Sequence, residues 1–256
     1  MILTADYHTH TKYSHGKGTI LQNAYMAKEK NLSYIGIADH GFSHPAFGLS
    51  KRKLPKMQKE CIDATNETGV KVLLGVESNV VSDSGLIDAS KYYDYFDILL
   101  CGIHKFILYR PKTMVSLFAR NYLTNVLKCK PSKSLIKENT KTFINVVKNN
   151  PIDIITHLNY CCFSDSLEVA KVCADYGTYL EISAKKEHLN IEEWQNIVNK
   201  TSCRFIISSD AHSPSRVGDF ELAKSVIKKA GIPLDRIDNI DGRLPDFRFK
   251  KFKEQR

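Results

Sequence analysis

No apolar run in this 256-residue chain approaches the roughly 20 residues needed to cross a bilayer, which excludes a helical membrane span. The first residues lack a basic region followed by a long apolar stretch and a small-residue cleavage site, so a cytoplasmic location is expected. Cys-x-x-Cys is absent as well. The seven cysteines are scattered and odd in number, the pattern of reduced thiols that mostly fill core positions, and it argues against a zinc-thiolate site. No Gly-x-Gly-x-x-Gly opens a helix, which argues against a doubly wound sheet built around a nucleotide. Acid is scarce in one long stretch: from Arg110 to Lys148 nine Lys or Arg stand against a single carboxylate, Glu138, in a chain of net charge +9. Such charge favours anionic partners. The basic tail, residues 247–256, reads as a solvated surface.

With 43% apolar and 25% charged residues the composition is that of an ordinary globular protein, long enough for one large α/β domain over residues 1–256. Short apolar runs at 2–7, 33–38, 70–76, 96–103, 152–156, 178–182 and 203–209 predict seven strands. Helical periodicity occupies 19–30, 54–68, 114–127, 135–149, 167–176, 191–200 and 220–230 between and after them. Strand alternating with helix implies a parallel sheet covered by helices. A distorted (β/α)7 barrel is therefore expected, with a possible helical insertion at 113–149 lying over its mouth.

Ionisable residues recur where these runs stop. His8 and His10 share one face of an extended segment, and two nitrogen donors on one face can share a cation. His15 follows; later runs end in His40, Glu77, His104, His157, and Asp210 with His212. Seven of the nine histidines fall in this set, and in parallel barrels the functional groups sit at the carboxyl ends of the strands. Nine nitrogen and oxygen donors exceed the needs of one metal. They suit a three-metal cluster in which one carboxylate can bridge, and clustered cations suit metal-assisted hydrolysis, with a metal-bridging hydroxide as the expected nucleophile. Lys105 and Arg216 are candidates for contact with substrate phosphate. Asp39 could orient an imidazole N–H or cap the turn that follows it.

The strings Asp6-Tyr7-His8-Thr9-His10 with His15, Ala38-Asp39-His40, Gly75-Val76-Glu77, Gly102-Ile103-His104, His157 and Ser209-Asp210-Ala211-His212 resemble the motifs of the PHP family, named for polymerase and histidinol phosphatase. The similarity is to small stand-alone members and runs from residue 6 to about residue 219. One departure is His-Leu-Asn at His157, where His-Pro-Gly is frequent. The resemblance implies up to three divalent ions, of zinc, manganese or iron. It implies one metal on His8, His10, Glu77 and Asp210, a second on Glu77, His104 and His157, and a third on His15, His40 and His212, with Glu77, Asp210 and His212 as the catalytic candidates. The implied activity is a phosphatase acting on a small phosphomonoester, histidinol phosphate first among them. Two alternatives stand beside it. One is a nuclease whose basic segment tracks a phosphate backbone through Lys128, Lys130 and Lys133 while Phe118, Tyr122 and Phe143 stack on bases. The other is a non-catalytic metal-binding regulatory module.

Overall fold

The computed structural model describes residues 1–255. Its strands are β1 (Ala5–Thr9), β2 (Tyr34–Ile37), β3 (Lys71–Asn79), β4 (Ile98–Gly102), β5 (Ile154–Ile155), β6 (Tyr179–Ser183) and β7 (Phe205–Ser208). They form one sheet in sequence order, every neighbouring pair parallel. A parallel bridge between Thr9 and Ala211 joins the first strand to the segment after the last, curling the sheet into a (β/α)7 barrel. The helices are α1 (Ile20–Glu29), α2 (Leu54–Thr68), α3 (Pro111–Thr113), α4 (Arg120–Val126), α5 (Lys133–Asn149), α6 (Ser166–Tyr176), α7 (Ile191–Lys200), α8 (Glu221–Ala230) and α9 (Arg248–Glu254). Among the described residues none is long and apolar enough to cross a membrane.

Local chemistry explains where the helices begin and end. Thr19 and Asn190 open α1 and α7 with capping boxes, and the Asp165 side chain accepts from two backbone N–H groups at the start of α6. Gly69 closes α2 at φ 78°, a conformation that costs a side chain but not glycine. The crossover helices lay apolar stripes on the outside of the barrel; α1, for example, buries Ile20, Ala24 and Ala27. Fully burying a side chain such as Ile stabilises by about 1.5–3 kcal/mol. Alternation along β4 separates two apolar clusters. Leu99 and Cys101 face the helices, while Ile98 and Leu100 join Ala5, Tyr7, Ile154, Tyr179 and Ile206 inside the barrel.

Three expectations are corrected. The first strand lies at Ala5–Thr9 instead of 2–7, because Leu3 pairs antiparallel with Ile240 and Thr4 N–H donates to the Asn239 carbonyl at 2.8 Å. Residues 113–149 are not one insertion. Helix α5 is an ordinary crossover helix that buries Leu135, Phe143, Val146 and Val147, and what remains at the mouth is residues 111–127, where a π-helical turn at Met114–Ala119 joins α3 to α4. With Phe143 only 2% exposed, one of the three aromatics assigned to base stacking is spent on the core. The basic tail docks. Phe249 is fully buried, its N–H donating to Asp153 at 2.9 Å, and the Phe247 ring meets Tyr7 edge-on at 5.0 Å. Lysines 250 and 251 face outward, and Arg256 lies outside the described residues.

Candidate metal centre

Every strand except β6 delivers a candidate donor at or just beyond its carboxyl end. His8 lies in β1, and a register shift between Asp6 and Thr9 accompanies the turn of His8 and His10 toward the mouth while Tyr7 packs in the lower barrel. Glu77 lies inside β3, and His40 after β2 is bridged to it backbone to backbone. His104, His157 and the pair Asp210 and His212 follow β4, β5 and β7. His157 and Asp210 hold φ values of 30° and 47°, a region that costs a non-glycine residue about 1–3 kcal/mol. Such strain persists only where neighbours fix it; the His157 N–H donates to Glu181 Oε2 at 2.7 Å.

Glu77 is the hub. Its Oε1 lies 2.7 Å from His157 Nε2, 3.0 Å from His104 Nε2 and 3.4 Å from His8 Nε2, and its Oε2 lies 3.0 Å from His40 Nδ1. His10 Nε2 is 3.1 Å from both His8 Nε2 and Asp210 Oδ1. The His15 ring stacks on His40 at 4.8 Å and meets His212 edge-on at 4.2 Å. Three overlapping triads result, His8–His10–Asp210, His10–His40–His212 and His40–Glu77–His104, with the donor atoms of each within 4.8 Å of one another. His10 and His40 each belong to two of them.

Protonation follows from this packing. Burial by itself pushes Glu77 up, but His104, His8 and His157 outweigh it and hold the carboxyl well below its usual range. Burial likewise pushes Asp210 up and is outweighed by His8 and His10, then Lys185. Burial brings His104 and His15 down to about 4 and also lowers His10 and His212, so these four present neutral imidazoles near neutral pH. His8 moves the other way: burial lowers it, but Glu77, Glu181 and Asp210 carry it well above its ordinary value.

Whether these residues fit divalent cations can be read from their unmet polarity. His10 Nδ1, His40 Nδ1 and Glu77 Oε2 are buried without hydrogen-bond partners. The last two are 3.0 Å apart yet misaligned for a hydrogen bond, so proximity does not satisfy them. Unpaired buried polar atoms cost about 1–3 kcal/mol each, a cost that cations bound among these donors would offset. An all nitrogen and oxygen donor set, free of thiolate, fits zinc, manganese or iron.

Several partners of this cluster escape sequence reasoning. Glu181, on β6, accepts from His8 Nδ1 at 2.7 Å as well as from the His157 backbone. Asn79 Oδ1 meets His104 Nδ1 at 2.8 Å, and Thr156 Oγ1 donates to Glu77 Oε1 at 2.9 Å. Asp6, fully buried, accepts from Ser209 N–H, Ser209 Oγ and Gly218 N–H, tying β1 to the loop that carries Asp210 and His212. Lys185 Nζ lies 2.9 Å from Asp210 Oδ2 and 3.1 Å from His212 Nδ1. A carboxylate inside an apolar strand was the available signal for Glu181; the lysine carried none. Asp39 takes neither expected role: it accepts from Thr11 N–H, Thr11 Oγ1 and Ser14 Oγ, 25–28 residues earlier, and so braces the loop after β1.

The cluster floors an open cleft of about 580 Å³, whose walls include Lys105, Lys186 and the two histidines not read as site residues, His44 and His188. Arg216 is not among its lining; its guanidinium pairs with Asp219 at 2.8 Å.

A family model described as the PHP domain matches residues 6–201, stopping short of Asp210 and His212, which the fold brings back to the cluster. A protein of Thermoanaerobacter sp. (strain X514) named a probable phosphatase is 30% identical over 264 aligned residues, covering 96% of this chain and 95% of the relative. Another so named, from Shewanella sp. (strain ANA-3), is 28% identical over 91% of this chain and 86% of its own length. Among solved structures, the histidinol phosphate phosphatase of Lactococcus lactis subsp. lactis Il1403, complexed with zinc, L-histidinol and phosphate, superposes with a TM-score of 0.66 at 17% identity, over 91% of this chain and 95% of that one. That last likeness is one of fold. With its motifs at the strand ends of a (β/α)7 barrel and the family model spanning most of its length, the chain belongs to the PHP domain family.

Proposed function

We propose that the protein is a metal-dependent phosphoesterase that hydrolyses small phosphomonoesters. The observation that carries this reading is the convergence of five imidazoles and two carboxylates on the floor of one open cleft, backed by the fully buried His8 and His10, with three buried donor atoms unpartnered. His8, His10, Glu77 and Asp210 would hold one ion, Glu77, His104 and His157 a second, and His15, His40 and His212 a third. Divalent cations bound there supply acidification of water and neutralisation of phosphate charge. The chain's own residues prepare that chemistry. Glu77 and Asp210 are held ionised, and the lowered imidazoles keep lone pairs free to bind. Lys185, beside Asp210, adds positive charge where a phosphate dianion would arrive, while Lys105 stands farther out on the cleft wall, over Tyr160. Histidinol phosphate is the first specific substrate to test, since the Lactococcus lactis protein of like fold is a histidinol phosphate phosphatase.

Purified protein should contain divalent metal by elemental analysis and release inorganic phosphate from phosphomonoesters. H8A and D210A should each lower turnover by about 10³-fold or more while leaving the far-ultraviolet dichroism unchanged. Wild-type turnover in either variant would overturn the assigned centre. Degradation of single-stranded DNA without release of phosphate from monoesters would replace the reading with a nuclease.

A further inference from the structure

The cleft above the metal centre is asymmetric in charge. Phe47 packs against His15 and His44, with ring centroids 4.9 Å apart in each case. Tyr160 packs against His157 at 5.1 Å and His188 at 5.4 Å, and Lys105 Nζ lies 5.7 Å from the centre of the Tyr160 ring. Lys186 lines the same cleft from the loop that also carries Lys185 and His188. Among the described residues neither Lys105 nor Lys186 pairs with a carboxylate. The acids of the lining are Glu77 and Asp210, and both are already engaged, Glu77 by four imidazoles and Asp210 by His10 and Lys185. Whatever extends from the phosphate into this cleft therefore meets aromatic faces and unpaired ammonium groups, and no free carboxylate.

Resting on the phosphoesterase reading, we infer that the preferred substrate carries a planar ring and a second anionic group, a carboxylate or another phosphate, on its leaving group, and that the cleft disfavours a leaving group bearing an ammonium, such as that of histidinol phosphate. A carboxylate near Lys105 and Lys186 gains charge-assisted contacts. An ammonium in the same place meets like charge with nothing to neutralise it.

Three esters isolate the effect: 4-carboxyphenyl phosphate, phenyl phosphate and 4-(aminomethyl)phenyl phosphate, assayed with the full metal-replete chain. The inference expects kcat/KM to fall in that order, by about tenfold per step, with the difference mainly in KM. K105Q and K186Q should each shrink the ratio between the first two esters. Equal rates for the three, or faster turnover of the aminomethyl ester or of histidinol phosphate, would overturn the inference and leave the phosphoesterase reading standing. Calorimetric binding of the three corresponding phosphonates reads the same preference without turnover. Phosphonates ranked as expected by a protein that hydrolyses none of the esters would support the cleft's selectivity while overturning the phosphoesterase reading; phosphonates bound equally well would sink the selectivity itself.

Discussion

Glu181 shows how a single side chain can hold a centre that it does not line. One of its oxygens fixes the tautomer and orientation of His8 and the other pins the strained backbone at His157, so it serves donors of two proposed ions at once. Removing its charge should loosen both. E181Q is expected to lower metal affinity by about 10- to 100-fold, measured by competition with a chromophoric chelator, with the fold retained. Wild-type affinity in that variant would reduce Glu181 to a packing role. Most of the donor residues were legible one by one, since a histidine or acid at the end of an apolar run is conspicuous. Glu181 was not, because its partners are 173 and 24 residues away in sequence.

Among the elements, β4 has little room to change at its mouth end. A Cβ on Gly102 would lie 2.5 Å from Thr156 Oγ1 and 2.8 Å from His157 Cε1, so any side chain there displaces the threonine that donates to Glu77 and the imidazole that faces it. G102A is expected to cost about 10²-fold in phosphate release while the melting temperature moves little, because a misplacement of about 1 Å suffices for such a loss. A variant that keeps its activity would show that the mouth adjusts freely. Strand and helix order was readable from periodicity, and element type held for the seven strands and the helices between them, whereas α9 was hidden in what read as a solvated tail. The start of β1 was not, since its first residues are claimed by the segment around Ile240. Nor was the division of residues 113–149 into a mouth segment and a crossover helix, because an amphipathic pattern shows that a face is buried without saying against what.

At the scale of the molecule, the C-terminal helix closes the end of the barrel opposite the metal centre. Phe249 is fully buried there and meets the Tyr93 ring edge-on at 5.1 Å, so F249A should destabilise by about 3–5 kcal/mol in urea unfolding. Asp153, beneath the same helix, gives that closure a pH dependence. Burial pushes its carboxyl up to about 7 from 3.8, against the pull of the Phe249 and Leu99 N–H groups. Between about pH 4 and 7 the folded state keeps a proton that the unfolded chain has released, so this group's contribution is present below about pH 4 and is lost as the pH rises to about 7. The wild type should therefore lose stability across that window relative to D153N, by up to about 1.4 kcal/mol per pH unit. Parallel slopes for the two proteins would show that Asp153 does not titrate there. Cations bound at the opposite end should add stability that grows with the logarithm of free metal above its Kd, so chelation should lower the melting temperature.

What the sequence determined by itself was the alphabet of this protein: seven parallel strands, because periodicity records which faces are buried, and nine candidate donors, because most stand near the strand ends where a barrel gathers its functional groups. Tertiary structure alone decided how the donors meet. Which imidazole lies beside which, how Glu181, Asp6 and Lys185 enter the arrangement, why Arg216 turns away to Asp219, and how the tail seals the barrel all depend on distances across the closed sheet. Those distances are set by barrel closure and strand register, to which residues far apart in the chain contribute jointly.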